Sequence, residues 1–307
     1  MSLTILIWIS SLYFAWAIGT HYTGAALGPA VGAGLLSKSK ALKLMAILAF
    51  AGAFLSFKVQ ETYAFNIVSN INEIAVAAAL LSAALTTTAF TYLKIPTSTI
   101  QVFTFSLVGA AVVGGLSVSI KVLLTFVLFW VVAPVVALSL GFLLIKLIPK
   151  HGMEKWIRYF VIGSSMHSAF SVGSNDVSNA VAMLVALDYV DTIAASLIGG
   201  TFIAIGVLTW GRRVLARVSG EIVTMKLDVA CSAQIAKAST IIGVNLVGYN
   251  ASINQTLISG LVGASMGKKE KNINSRIMKG ILIGWGISPV SGLVVSVALS
   301  LIFLAVL

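Results

Sequence analysis

The sequence predicts an all-α integral membrane protein made of two inverted-topology repeats, with broken or re-entrant half-helices and about 10–12 membrane segments. Three observations lead to this fold class. Of the 307 residues, 59% are hydrophobic and 9% are charged, and the mean hydropathy is +1.04, which excludes a soluble globular fold. The charges fall in short clusters between long uncharged runs. The features of the first half recur in the second.

The composition also excludes several classes of function. The single cysteine, Cys231, rules out a disulfide framework and a cysteine-ligated zinc site, and three scattered histidines do not make a histidine-rich metal site. The net charge of +11 comes from basic clusters between apolar runs, as in the cytoplasmic loops of membrane proteins. We therefore expect a lipid bilayer, and no nucleic acid, as the macromolecular partner.

Long uncharged runs predict the membrane segments, because about 20 apolar residues cross the hydrocarbon layer as a helix. Two further apolar runs, 159–187 and 229–267, are interrupted by one charge each, Asp176 and Lys237. The runs without any charged residue are 1–37, 74–93, 95–120, 122–145, 192–211 and 280–307.

An internal repeat appears when the chain is aligned with itself at an offset of 154 residues. Ser98 falls on Ser252, Gln101 falls on Gln255, and the sequence LVGA at 107–110 recurs at 261–264. The same features in the same order predict two transmembrane repeats, residues 1–150 and 151–307.

Loop charges indicate that the repeats are inverted. Three lysines at 38–43 stand opposite Asp188 and Asp191 in the second repeat, and the bias reverses again in later loops. Since basic loops stay on the cytoplasmic side, equivalent loops lie on opposite faces. We expect a multi-pass protein of the cell membrane with both termini outside and four cytoplasmic segments: 38–43, 146–158, 212–226 and 268–279.

Helix breaks are predicted at matching places in both halves. One pair comprises 19–23 and 173–179, and the other comprises 95–101 and 249–255. Inverted repeats with broken helices are the plan of secondary transporters, whose substrate site lies near the midplane. A non-helical backbone at that depth lines a cavity or is buried in protein.

Helix starts at these breaks predict an oxyanion site, because free backbone N–H groups and the positive helix dipole favour an anion. Hydroxyl and amide side chains can add hydrogen bonds; the plainer interpretation is that they only cap helices and that Pro96 fixes a turn. The candidate anion-binding residues are Thr20, Thr23, Thr97, Ser98, Thr99, Gln101, Ser174, Ser252, Asn254 and Gln255.

Asp176 is the acidic residue of the run 159–187, and its neighbours Asn175 and Asn179 can add amide oxygens. Such a cluster suits a coupling ion, either a bound sodium ion or a proton on the carboxylate; the alternative is a buried carboxylate satisfied by local donors. His21 and His167 are candidate proton carriers or neutral core histidines. Lys237 can snorkel, pair with a carboxylate or face the cavity. No cofactor other than that sodium ion is expected.

The sequence resembles the inorganic phosphate transporter (PiT) family. Residues 173–180, GSNDVSNA, resemble its G-A-N-D-V-A-N-A signature, and 96–101, PTSTIQ, resemble its P-x-S-T-x-H/Q element. Trp130 to Pro134 and Trp285 to Pro289 resemble its W-x-x-x-P helices. The resemblance implies a homodimeric, cation-coupled secondary carrier that takes up inorganic phosphate, with no enzymatic activity.

The first copy of the signature departs from this pattern. It reads GTHYTGAA at 19–26, so His21 and Tyr22 stand where the family has Asn and Asp, as in the degenerate first signature of its sulfate permease branch. Because phosphate carries a proton that Asp176 can accept and sulfate does not, phosphate is the first expectation, with sulfate or a passive anion channel as alternatives. A membrane-embedded hydrolase ranks last, because it needs a second intramembrane acid or an activated nucleophile.

Overall fold

The structure is a computed structural model that describes residues 2–93, 95, 97–148, 154–215, 226–269 and 275–306. Within these ranges it is helical, with one isolated β-bridge between Val68 and Val118 and no longer strand. The first half contains α1 (Leu3–Gly32), α2 (Lys38–Ala53), α3 (Phe57–Glu61) followed by a π-helical turn (Thr62–Asn66), α4 (Glu73–Leu93), α5 (Thr99–Val113) and α6 (Ile120–Leu147).

The second half repeats this order at an offset of 154 residues. Its helices are α7 (Glu154–Ala186), α8 (Thr192–Thr209), α9 (Leu227–Leu246), α10 (Ile253–Gly267) and α11 (Ser275–Val306). The bounds of α5 and α10 match residue for residue at this offset, and residues 211–215 are helical where α3 stands in the first half. The boundary predicted near residue 150 lies among residues 149–153, outside the described residues.

Apolar composition and polar caps explain where these helices form. Six described helices are long and apolar enough to cross a bilayer, and α2 with the bent segment 57–66, at 63° to it, makes a seventh candidate. Ser37 and Asp191 cap α2 and α8 through side-chain oxygens that accept backbone N–H groups one turn on. The all-α, multi-pass membrane prediction is confirmed.

Each main helix contact between the two halves has an equivalent in which the matching helices of the two repeats change places. α1 lies against α8 as α7 lies against α2, and α5 lies against α11 as α10 lies against α6. α1 and α7 also contact each other. Paired contacts of this kind are what a twofold relation between two inverted repeats produces.

The first predicted pair of breaks is wrong, because α1 runs unbroken through 19–23 and α7 runs unbroken through 173–179. The glycines there serve helix packing: a Cβ on Gly19 would overlap the Ile203 carbonyl of α8, and one on Gly173 would overlap the Ala49 carbonyl of α2. The hydroxyls of Thr20, Thr23 and Ser174 donate to carbonyls of their own helix, such as Thr23 to Gly19 (2.7 Å), as hydroxyls within a continuous helix do.

The second pair of breaks is confirmed. Between α4 and α5 the chain is non-helical at 95 and 97–98, while Lys94 and Pro96 lie outside the described residues. The matching connection, 247–252, separates α9 from α10. At 15 residues each, α5 and α10 are about 22 Å long by the helical rise, too short to span the hydrocarbon alone.

The predicted cytoplasmic segments are described only in part. Residues 38–43 belong to α2, and Arg212 lies in the helical residues 211–215. The other predicted segments include 149–153, 216–225 and 270–274, which lie outside the described residues.

Candidate functional site: two helix starts meeting at Asp176

The starts of α5 and α10 meet in the interior of the protein. Ser98 and Ser252 occupy the equivalent N-cap positions, and each hydroxyl oxygen accepts a backbone N–H, from Gln101 and Gln255 respectively (3.4 Å each). The Gln255 side chain donates to Gln101 Oε1 at 3.4 Å, which joins the first turns of the two helices. Two positive helix ends are therefore directed at one region.

The connecting residues are also tied together. Asn254 Nδ2 donates to the backbone oxygen of Thr97 at 2.6 Å and lies 3.4 Å from Nε2 of His21. His21 Nδ1 lies 2.7 Å from the hydroxyl of Thr91 in α4. The histidine of the first repeat therefore lies against the helix start of the second.

Asp176 lies beside these helix starts and is fully buried. Its Oδ1 accepts hydrogen bonds from Thr99 Oγ1 at 2.6 Å and Asn179 Nδ2 at 3.2 Å, and its Oδ2 accepts one from Asn175 Nδ2 at 2.9 Å. Thr99 is the first residue of α5, so the carboxylate of α7 is bonded to the start of a helix from the other repeat.

Tyr22 extends this network into α1. Its hydroxyl lies 2.9 Å from Thr99 Oγ1 and accepts the Thr99 N–H at 3.4 Å. Because the single Thr99 hydroxyl proton is directed at Asp176, the Tyr22 hydroxyl is the donor to Thr99. Tyr22, which stands where the family signature has an aspartate, therefore fixes the direction of the hydrogen bond from Thr99 to Asp176.

Both asparagines beside Asp176 fix the connection before α10. Asn175 donates to the Ala251 carbonyl (3.1 Å) and accepts the Ala251 N–H (3.2 Å), so it pairs with the backbone as another strand would. Asn179 Oδ1 accepts from Asn250 Nδ2 at 2.8 Å, and Asn250 Oδ1 accepts from the Tyr63 hydroxyl at 3.2 Å. These contacts hold the α10 start against α7.

Two polar atoms of the cluster are buried without a hydrogen-bond partner in the described part of the chain: Thr97 Oγ1 and Gln255 Oε1. A buried polar atom without a partner costs about 1–3 kcal/mol. Both lie next to the helix starts, so a ligand placed there would satisfy them.

Most predicted site residues share this cluster, but three do not. Thr20 donates to carbonyls of α1 and α8, Thr23 donates to α1, and Ser174 donates to Ser171 and accepts from Asn245 of α9. The residues brought together are His21, Thr97, Ser98, Thr99, Gln101, Asn175, Asp176, Asn179, Ser252, Asn254 and Gln255.

Sequence reasoning missed six members of the network: Tyr22, Tyr63, Thr91, Asn250, Ala251 and Ser288. Asn250 and Ala251 lie inside a predicted break, so their position was a usable signal. Tyr63 comes from the π-helical turn, and no motif connects residue 63 with residue 250.

Comparisons with known proteins identify the family of this chain. The sequence profile of the phosphate transporter family matches residues 18–155 and 148–296. Sulfate permease CysP of Bacillus subtilis (strain 168) is 31% identical over 96% of this chain and 86% of its own. The probable low-affinity inorganic phosphate transporter of the same organism is 25% identical over 96% of both chains.

A solved structure shares the fold as well. The chain described as "The sodium-dependent phosphate transporter" superposes with a TM-score of 0.91 over 100% of both chains, at 20% identity. The family consists of transporters and permeases rather than enzymes. This chain belongs to the phosphate transporter family.

Proposed function

We propose that this protein is a secondary active transporter that carries a small tetrahedral oxyanion, phosphate or sulfate, together with a coupling cation. The observation that carries the proposal is the meeting of the α5 and α10 starts beside a buried carboxylate. Helix starts supply N–H donors and a positive dipole to an anion, and the carboxylate supplies negative charge to a cation.

The anion would lie between the two helix starts. Thr97 Oγ1 is the unpaired hydroxyl there, and the other donors are the first-turn backbone N–H groups that have no acceptor within the described residues, those of Ile100, Ile253 and Asn254. Such a site needs no lysine or arginine, because the helix ends provide the positive field. Because these donors are neutral N–H and hydroxyl groups rather than charged side chains, the bound anion can be released again.

Asp176 would carry the coupling charge. Among the described residues no lysine, arginine or histidine lies within ion-pair distance of its carboxylate, so the buried negative charge needs a proton or a metal cation. Its Oδ2 accepts one hydrogen bond, and the side-chain oxygens of Asn175 and Asn179 accept one each, so all three have a lone pair left for sodium. Residues Asn175, Asp176 and Asn179 therefore fit a sodium ion, and Asp176 alone fits a proton.

Different observations favour the two substrates. Gln255 Oε1 is a buried acceptor without a partner, and hydrogen phosphate has a hydroxyl to donate to it whereas sulfate has none. Asp176, in contrast, already accepts three internal donors, so its presence does not favour phosphate in the way the sequence suggested. The sulfate permease relative at 31% identity favours sulfate.

Uptake into proteoliposomes tests the proposal. Labelled phosphate and labelled sulfate are supplied in parallel while sodium and pH gradients are imposed separately. We expect saturable uptake of at least one anion that one of the two gradients accelerates, with the other anion competing. Uptake that ignores both gradients would mean a passive anion channel, and uptake of neither anion would refute the assignment.

A further inference from the structure

Lys237 is a buried cation that the transport site does not use. It lies in α9, is fully inaccessible to solvent, and makes its one hydrogen bond, to the Ser168 hydroxyl of α7, within the described part of the chain. No acidic side chain in those residues forms an ion pair with it. An ammonium group has three donors, and burying its charge without a counter-anion is strongly unfavourable.

A row of polar side chains leads from Lys237 to the transport site. Along α7, the serines 165, 168, 171 and 174 are buried and recur at every third residue, and Ser171 and Ser174 donate to the carbonyls of Ser168 and Ser171. Ser168 contacts Lys237, and Ser174 accepts a hydrogen bond from Asn245 of α9 at 2.9 Å, so both of these serines contact α9. We call this row, from Ser165 and Lys237 to Ser174 and Asn245, the polar seam.

The polar seam has unused hydrogen-bonding capacity. The Ser165 hydroxyl and Asn245 Oδ1 are buried and have no partner within the described residues. Gln234, one helical turn before Lys237, uses its amide nitrogen on two carbonyls of α1 and leaves Oε1 unpaired. Of these atoms only the Ser165 hydroxyl, one helical turn before Ser168, is a free donor near the buried cation; the two amide oxygens are acceptors that only a protonated oxyanion can bond.

The other repeat shows that packing alone does not need the lysine or the two serines at 168 and 171. At the offset of 154 residues, Phe14 replaces Ser168, Ala17 replaces Ser171 and Ala83 replaces Lys237. Those three side chains are buried in the equivalent contact between α1 and α4. The same helix pair therefore packs with apolar side chains at the positions of Lys237, Ser168 and Ser171 in one half, while the ends of the seam are polar in both halves, where Ser11 and Thr20 match Ser165 and Ser174.

We propose that Lys237 forms a second binding position for the transported tetrahedral oxyanion, on a path from the helix starts toward the N-terminal end of α7. This inference rests on the proposed transport function. Ser168 precedes Asp176 by eight residues, about 12 Å along the helix, so the two positions are distinct. At Lys237 the oxyanion supplies the missing negative charge, and the ammonium and Ser165 hydroxyl groups donate to it.

The test compares Lys237→Met with Lys58→Met. Lys58 is an exposed lysine with one hydrogen bond, to the Leu246 carbonyl at 3.0 Å, so it controls for loss of a lysine outside the polar seam. We expect Lys237→Met to raise the KM for phosphate or sulfate about tenfold or more, the effect of losing a charge-assisted hydrogen bond. It should also reduce the thermal stabilisation that added anion gives, while Lys58→Met leaves both unchanged.

A second variant keeps the lysine. Ser168→Asp places a carboxylate beside Lys237. This carboxylate pairs with the buried ammonium group, so the protein stays folded, and it competes with the transported anion, so we expect a similar rise in KM. Lys237→Arg keeps the cation and should recover affinity in part. Wild-type KM and anion stabilisation in both Lys237→Met and Ser168→Asp would overturn the second position. If the wild-type protein transports neither anion, the proposed function fails instead.

Discussion

Replacing Thr99 with valine should remove the hydrogen bond that joins the start of α5 to Asp176 of the other repeat. Thr99 Oγ1 donates to Asp176 Oδ1 at 2.6 Å and accepts from the Tyr22 hydroxyl at 2.9 Å, and the side chain is fully buried. Valine has nearly the same shape but no hydroxyl. The change therefore removes both bonds without creating a cavity.

The expected cost follows from the kinds of bond lost. A hydrogen bond to a charged group contributes about 1.5–3 kcal/mol and a neutral one about 0.5–1.5 kcal/mol, so Thr99→Val should lower the free energy of unfolding by about 2–4 kcal/mol. Thr99→Ser keeps the hydroxyl and should cost only about 1 kcal/mol, the value of one buried methyl group. Tyr22→Phe loses the neutral bond alone.

Unfolding in detergent, together with gradient-driven uptake, measures this effect. We expect Thr99→Val to be the least stable of the three variants and to lose coupled uptake, because Asp176 loses its shortest bond. A double-mutant cycle between Thr99→Val and Tyr22→Phe should give a coupling energy of about 0.5–1.5 kcal/mol. The reasoning is refuted if Thr99→Val matches Thr99→Ser in both stability and uptake.

Three further predictions follow from the same structure. Asp176→Asn should abolish the acceleration of uptake by a cation gradient while the protein stays folded. The amide oxygen at this position still accepts hydrogen bonds from Thr99 and Asn179, and only the bond from Asn175 is lost. Uptake in proteoliposomes checks this, and gradient-driven uptake at the wild-type rate would count against an ion role for Asp176. Gly173→Ala should prevent correct folding, because its Cβ would overlap the Ala49 carbonyl. Gly163→Ala in the same helix places its Cβ in open space and should add roughly 0.5–1 kcal/mol of stability. Thermal melting of the purified variants separates the two cases, and equal melting temperatures would contradict the packing role of Gly173. Cysteines at positions 38 and 212 should react with a membrane-impermeant maleimide from the same, cytoplasmic side, and labelling from opposite sides would contradict the topology drawn from the charges.

The repeat and the second pair of breaks could be predicted from the sequence because their signals are local and periodic. Pro96, Ser98 and Ser252 mark non-helical chain and helix caps through their own chemistry. The offset of 154 residues reproduces the bounds of α5 and α10. The sequence is sufficient to predict structure where a side chain determines the conformation of the backbone next to it, as proline and N-cap residues do.

The first pair of breaks was predicted wrongly because glycine has two uses that a sequence does not distinguish. Gly19 and Gly173 admit a neighbouring helix backbone, which depends on α8 and α2 and not on adjacent residues. The contacts of Tyr22, Tyr63 and Asn250 are hidden for the same reason, since each bond joins segments far apart in the chain. Tertiary packing, rather than local preference, decides these positions.

The most direct test of the central claim is to locate the anion itself. A crystal structure with selenate or arsenate, tetrahedral oxyanions with strong anomalous scattering, would show each bound ion as an anomalous peak. The account predicts a peak within hydrogen-bond distance of the first N–H groups of α5 and α10 and of the Thr97 hydroxyl. A protein that still transports these ions but shows no peak between the two helix starts would contradict it.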